Sequence, residues 1–370
     1  MNNLTNLAER MKEACGMCYL DTAAMSLLPE EVRQAVIDFH TRRQTKGPDF
    51  GAYWEEVEKL RLLVAERIHG HEEEILFLQN TSMAMNLAAN ALPLEKGDNV
   101  LISNREFPSN VYPWMNLESR GIEVRMVESP GGGFERKDFE AYCDENTKAI
   151  SVSWVIAANG VVTDIEGLSA LCQERGYFFV VDAIQGLGVL PLDVSRISVD
   201  ILGAGFFKWL LGPDGLAFAY IRKDILPQLK IPYMGWAGME EPFDYSSYRF
   251  APAREARRFE TGNMNFSAIY GAVKAMELTR GLEEEISLRT VALTAYLREH
   301  LHKIPGIRLL TPMQRESSGI TLFTCERAEA LYQLLRSRGF VVNYRGGIRI
   351  SPFFYNTREQ IDEFLDICDR

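Results

Sequence analysis

The sequence predicts an α/β fold: a large domain with a mostly parallel seven-stranded sheet between helices, followed by a smaller C-terminal α+β domain. Three observations carry this. Short β-branched or apolar runs alternate with longer amphipathic stretches through the middle of the chain, the pattern of strands joined by helical crossovers. Near residue 267 the texture changes to long helical periods and then short strands. The 370 residues also exceed what one core usually organises, since roughly 150 residues per domain gives about two. The expected boundaries are a large domain at 17–264 and a small one at 265–370, with the N-terminal helical segment 1–16 a candidate addition to the latter.

Taken in order, a first helical period at 4–15 lies outside the alternating region and can pack on either domain. Candidate strands follow at 75–78, 100–103, 123–127, 149–154, 177–182, 201–205 and 216–221. Between them lie helical patterns such as 84–92, ending before the Pro93 turn, and 166–175, ending at Gly176. The later region predicts helices at 268–279 and 282–304, strands near 307–310 and 319–324, a helix at 326–338, and strands 341–344 and 348–350. Thr357-Arg-Glu-Gln360 is a capping-box pattern ahead of Ile361, Phe364 and Leu365, which marks the last helix. In parallel sheets of this kind ligands bind at the carboxyl ends of the strands.

Composition narrows the function. A chain that is 46% hydrophobic and 25% charged, with 28 Gly and 15 Pro, excludes disordered, collagenous and disulfide-scaffold classes. Forty basic against 51 acidic residues leave a net charge of −11, which repels phosphate backbones and anionic lipid, so no nucleic-acid partner is expected. No apolar run approaches a membrane span or a signal peptide, and the expected location is cytoplasmic. Six scattered cysteines read as reduced thiols. Cys15-Gly-Met-Cys18 lacks both the strand-to-helix setting of a redox pair and the second pair of a zinc site. The five histidines, His40, His69, His71, His300 and His302, read as solvated helix ends, and no metal is expected.

Three segments carry chemistry. Lys208 is a single cation among large apolar residues in Ala204-Gly-Phe-Phe-Lys-Trp-Leu-Leu-Gly212, so its side chain either snorkels to solvent or is neutral and nucleophilic toward aldehydes. Asp182 ends the apolar run Tyr177-Phe-Phe-Val-Val-Asp182, where it either caps a helix or faces a cation. Were Lys208 to hold pyridoxal 5′-phosphate, Asp182 would pair with the protonated ring nitrogen and Gln185 could meet the ring hydroxyl or the lysine linkage. Thr81 and Ser82, between a strand and a helix start, make an anion seat from hydroxyls and free N–H groups, or Thr81 simply caps the helix.

These residues resemble the fold-type I pyridoxal-phosphate enzymes of the class V aminotransferase and cysteine desulfurase group. The resemblance runs along nearly the whole chain through Tyr19-Leu-Asp-Thr-Ala-Ala24, Asn80-Thr-Ser82, Glu106-Phe-Pro-Ser-Asn110 with Pro113-Trp114, Asn159-Gly160, Val181-Asp-Ala-Ile-Gln185, Lys208 to Gly215, Arg258-Phe-Glu-Thr-Gly-Asn263 and Arg349-Ile-Ser351. It implies Lys208 as the cofactor lysine, Asp182 on the ring nitrogen, Gln185 at the ring hydroxyl, and Thr81 and Ser82 as the phosphate seat. It also implies Phe107 stacked over the ring, as in kynureninase-like members, where many relatives use a histidine. Phe stacks but cannot carry a proton, which leaves acid–base work to Lys208.

By the same resemblance Asn159 lies near the substrate, although an Asn before Gly160 also suits a plain turn. Arg349 grips the substrate carboxylate, its alternative being a strand arginine in a surface ion pair. Asn263 falls where relatives reach the neighbouring subunit's phosphate, which implies a homodimer with shared sites. Two departures matter. Segment 339–349 has no cysteine to accept sulfur, and Cys325 belongs in or beside a strand, so desulfurase activity is disfavoured; Gly205 and Phe207 replace polar residues near the phosphate. The expected activity is therefore pyridoxal-phosphate chemistry at the α-carbon of an amino acid, as a class V aminotransferase or a β-eliminating C–S lyase. An epimerase of the same family and a non-catalytic binding protein are the alternatives. Tyr112, Trp236 and Tyr344 are candidates for the side-chain pocket by aromatic character alone.

Overall fold

The computed structural model describes residues 3–129, 133–246, 248–313 and 318–370. The chain opens with α1 (Asn3–Ala14), β1 (Cys18–Tyr19), α2 (Glu30–Lys46) and α3 (Phe50–Ile68). The large sheet contains β2 (Ile75–Leu78), β3 (Asn99–Ser103), β4 (Glu123–Val127), β5 (Thr147–Ser153), β6 (Phe178–Asp182), β7 (Ile201–Gly205) and β8 (Ala217–Ile221). Interspersed are α4 (Thr81–Ala91), the short α5 (Tyr112–Met115) and α6 (Arg136–Glu140), and α7 (Ile165–Arg175). The sheet order is β2-β8-β7-β6-β5-β3-β4, parallel from β4 to β7, with β8 antiparallel to both its neighbours. All seven expected strands are in it.

Period-two alternation decides the core on each face. Leu101, Ile150, Phe179, Val181 and Leu202 pack with α3, while Val100, Ile102, Ala149, Val180 and Ile201 pack with α4 on the other side. Strands buried on both faces are what a parallel sheet covered by helices requires. The chain runs from β3 outward to β4 and then returns to place β5 on the other side of β3. The carboxyl ends of β3 and β5 thus border a topological switch point, where such sheets leave a crevice.

The C-terminal region contributes α8 (Phe266–Thr279), α9 (Glu283–Leu301), β9 (Arg308–Leu309), β10 (Thr321–Thr324), α10 (Ala328–Ser337), β11 (Phe340–Val341), β12 (Asn343–Tyr344), β13 (Ile348–Ile350) and α11 (Arg358–Cys368). A four-stranded antiparallel sheet runs β12-β13-β10-β9, and β11 pairs in parallel with β1. The expected strand at 341–344 is thus two strands split by the buried Val342, each serving a different sheet. Helices α2 and α3 were not expected. Only Val32 and Phe39 are buried along α2, so it carries little apolar period to read. Ala268, Ile269, Ala272, Val273 and Met276 of α8 join the core of the large sheet, and α1 packs Leu4, Leu7 and Met11 against Leu211, Ile286, Phe353 and Phe354. Among the described residues no helix is long and apolar enough to cross a membrane.

Candidate active site

A cavity of about 270 Å³ opens at the carboxyl edge of the sheet, and its lining includes Thr81, Ser82, Phe107, Asp182, Gln185, Lys208 and Arg349. Lys208 stands in the turn after β7. The turn is gripped by the buried side chains of Phe206, Trp209, Leu210 and Leu211, and closed by Gly212 N–H donating to the Phe206 carbonyl at 2.9 Å. Space is short there: a Cβ on Gly212 would fall 2.7 Å from that of Phe206. Burial pulls the Lys208 ammonium down to about 8; the Asp182 charge opposes this, and Arg349 and Arg345 add to it. A substantial neutral fraction near neutral pH is what a nucleophilic lysine needs.

Asp182 ends β6 at 3% exposure, and no helix begins after it. Its Oδ1 accepts the Ile184 N–H at 3.1 Å. Burial pushes its carboxyl up to about 6, against the pull of that hydrogen bond and of Lys208. A carboxylate so poorly solvated is stabilised by a cationic partner placed beside it. Gln185 donates from Nε2 to the Ala23 carbonyl and accepts at Oε1 from Trp209 Nε1, each at 2.9 Å. One amide hydrogen remains for another acceptor.

The cap of α4 is Asn80, not Thr81. Asn80 Oδ1 accepts the Met83 N–H at 2.9 Å, which leaves Thr81 as the first helical residue, and its Oγ1, in a side chain 5% exposed, is buried with no partner. An orphaned hydroxyl costs free energy unless something fills the space beside it. It stands at the N-terminus of a helix, where unpaired N–H groups favour an anion. Ser82 Oγ lies 2.6 Å from Ser109 Oγ, which ties the helix start to the loop carrying Phe107. Phe107, 41% exposed, lines the cavity, and the loop is held by the carboxylate of the half-buried Glu106. That carboxylate accepts from Asn110 Nδ2 at 2.9 Å and from the Ser153 N–H at 2.8 Å.

Arg349, on β13 and only 1% exposed, donates to Asp21 at 3.1 Å and to the Ala157 carbonyl at 3.0 Å, while its Nε has no partner. It is a buried ion pair facing the cavity, not a surface one. Asn159 lies outside the lining: its Oδ1 accepts the Val161 N–H at 3.2 Å in the turn at Gly160, whose φ is 73°. Asn263 is in a separate groove beside Thr261 and Gly262. Tyr112 and Tyr344 are exposed side chains outside the cavity lining, and Trp236 packs edge-on against Trp54.

Sequence reasoning missed Asp21, Ser109 and Arg345. Asp21 and Ser109 lie within the motifs that carried the resemblance, but nothing local says which cation or hydroxyl each will meet. Arg345 had one readable signal, its position before Gly346-Gly347 in a tight turn. The residues present fit pyridoxal phosphate: a desolvated lysine, a buried acid that wants a cation, a stacking ring and an unfilled anion seat converge on one cavity.

The fold is that of the cysteine desulfurase-like, fold-type I pyridoxal-phosphate enzymes. The chain belongs to the aminotransferase class-V family, whose model matches residues 18–364. It is 28% identical over 358 residues to the uncharacterized aminotransferase YcbU of Bacillus subtilis, covering 94% of this chain and 92% of that one. A probable cysteine desulfurase of Methanothermobacter thermautotrophicus is 26% identical, with 93% and 92% covered. Among solved structures, a mutant of C-DES with glycine covalently linked to its PLP cofactor superposes with a TM-score of 0.91 at 20% identity, covering 96% of this chain and 97% of that one. C-DES is described as a cystine C–S lyase.

Proposed function

We propose that the protein holds pyridoxal 5′-phosphate on Lys208 and acts at the α-carbon of an amino acid, as an aminotransferase or a β-eliminating C–S lyase. The observation that carries this is the convergence of Lys208, Asp182, Thr81 and Arg349 on one cavity. The cofactor, when bound, supplies a cationic heteroaromatic ring that takes up electron density from the α-carbon. Asp182 keeps the ring nitrogen protonated. Thr81, Ser82 and the N-terminus of α4 hold the phosphate, and Phe107 covers the ring. Arg349 would fix the substrate carboxylate, and the Lys208 amine, when not bonded to the cofactor, would be the base for the α-proton.

Lys208 is the one base lining the cavity beside the ring acid, since Phe107 carries no proton and both arginines remain charged. An epimerase working through two bases finds no second one among the lining residues. No cysteine lines the cavity either, and a tight turn at 345–347 occupies the segment where a sulfur-accepting cysteine would be sought. This favours elimination or transamination over persulfide transfer, even though desulfurases stand among the relatives. The proposal includes a cytoplasmic homodimer in which Asn263 serves the neighbour's phosphate. It is supported by Asn263 lying outside the lining of its own cavity, in a neighbouring groove.

Incubating purified, cofactor-loaded protein with a panel of amino acids tests the reading. Pyruvate with ammonia marks elimination, and a keto acid with pyridoxamine phosphate marks transamination. A colourless protein that cannot be loaded with the cofactor overturns it in favour of a binding role.

A further inference from the structure

We infer that Arg345 forms a second anion subsite, so that the preferred substrate is an α-amino acid whose side chain bears its own negative charge. This deepens the reading above and rests on it. Arg345 lines the same cavity as Lys208 and Arg349, at the tip of the hairpin joining β12 to β13. The two arginines are not equivalent. Arg349 is buried and already neutralised by Asp21, whose other oxygen accepts from Asn343 Nδ2 at 3.0 Å. The Arg345 guanidinium makes no hydrogen bond or ion pair with a side chain among the described residues, and the charges it bears on, Lys208 and Arg349, are like its own. It is the surplus positive charge of the cavity, in a protein whose net charge is −11.

The turn beneath it is well defined. Arg345 N–H donates to the Gly347 carbonyl at 2.8 Å, Gly346 takes a φ of 68°, and a Cβ on Gly347 would fall 2.6 Å from the Phe323 carbonyl oxygen. A guanidinium mounted on so constrained a hairpin, four residues from the arginine assigned to the α-carboxylate, is suited to a second planar anion. A neutral side chain leaves that charge uncompensated; Arg345 is exposed to solvent as well as to the cavity, and a carboxylate or comparable acid can take its planar two-donor fork there.

The test uses the cofactor-loaded enzyme and amino-acid pairs matched in size but not in charge, L-aspartate with L-asparagine and L-glutamate with L-glutamine. The concentration that perturbs the bound cofactor's absorbance is the readout, independent of turnover. At least one acid is expected to act at concentrations roughly tenfold below its amide, the scale of one charge-assisted hydrogen bond. Arg345→Gln should bring that ratio to within about twofold, and Arg345→Lys should keep most of it. Equal response to acid and amide in the wild type, a preference that survives Arg345→Gln, or no response to any of the four overturns the subsite. So does an Arg345→Gln variant that loses cofactor affinity while keeping the acid preference, which would place Arg345 on the phosphate instead. Failure of the wild type to take up the cofactor at all overturns the underlying reading, and is distinguished by the missing absorbance band.

Discussion

The two walls of the cavity are built on different terms. The sheet wall, with Asp182 and Lys208 at strand ends and Thr81 at a helix start, sets its polar groups in a dry frame and leaves them partly unsatisfied. The hairpin wall seals Arg349 into an ion pair and leaves Arg345 open. The contrast teaches that desolvated groups without partners gather on the sheet wall, where the proposal puts the cofactor, while the hairpin wall combines one ion-paired arginine with one available charge. Buried groups left wanting partners are what a bound ligand can satisfy, and clustering of perturbed groups marks such sites.

The contrast can be broken most sharply at the sheet wall. Lys208→Ala is expected to remove the absorbance of the covalently held cofactor and to lower turnover by at least about 10²-fold, measured by spectrum and product assay. At the hairpin wall, Arg349→Met strands the Asp21 carboxylate without its cation. The expected loss is about 3–5 kcal/mol of folding stability, read by chemical denaturation without cofactor, and a change of under 1 kcal/mol would show that the pair is not sealed.

A third measurement concerns pH. The Asp182 carboxyl, ordinarily near 3.8, is raised to about 6 by burial, so the native state holds its proton more tightly than the unfolded chain does. Between those values stability falls as pH rises, because the native state must then carry a buried charge. In cofactor-free protein Asp182→Asn is expected to remove that fall, which denaturation across pH would reveal. The smallest effect sharpens the comparison from the other side. Thr81→Val removes an unpartnered hydroxyl, so cofactor-free stability should change by less than about 0.5 kcal/mol while cofactor affinity weakens. A clear destabilisation without cofactor would mean that Thr81 is satisfied by the protein itself.

Much of this was legible. The seven large-sheet strands were marked by short apolar runs between turn residues, and the capping box at Thr357 forms as written, with Gln360 N–H donating to Thr357 Oγ1 at 3.3 Å. Lys208 and Asp182 stood out because charge inside apolar runs is expensive, which makes such positions informative. Thr81 shows the limit of local reading. Either Asn80 or Thr81 can cap a helix, and only the backbone geometry reveals that Asn80 does so and frees the threonine. The strand at 341–344 shows another: an apolar run does not say that its halves pair with different partners.

By itself the sequence determined the alternation of strand and helix, the charged positions Lys208 and Asp182 inside apolar runs and the missing loop cysteine, because each depends on residue type and short-range spacing. Tertiary structure alone decided that Asp21 neutralises Arg349 and that Arg345 lines the cavity without an ion-pair partner among the described residues. Those facts depend on which groups meet across some 10² residues of chain, and local propensities carry no information about that meeting.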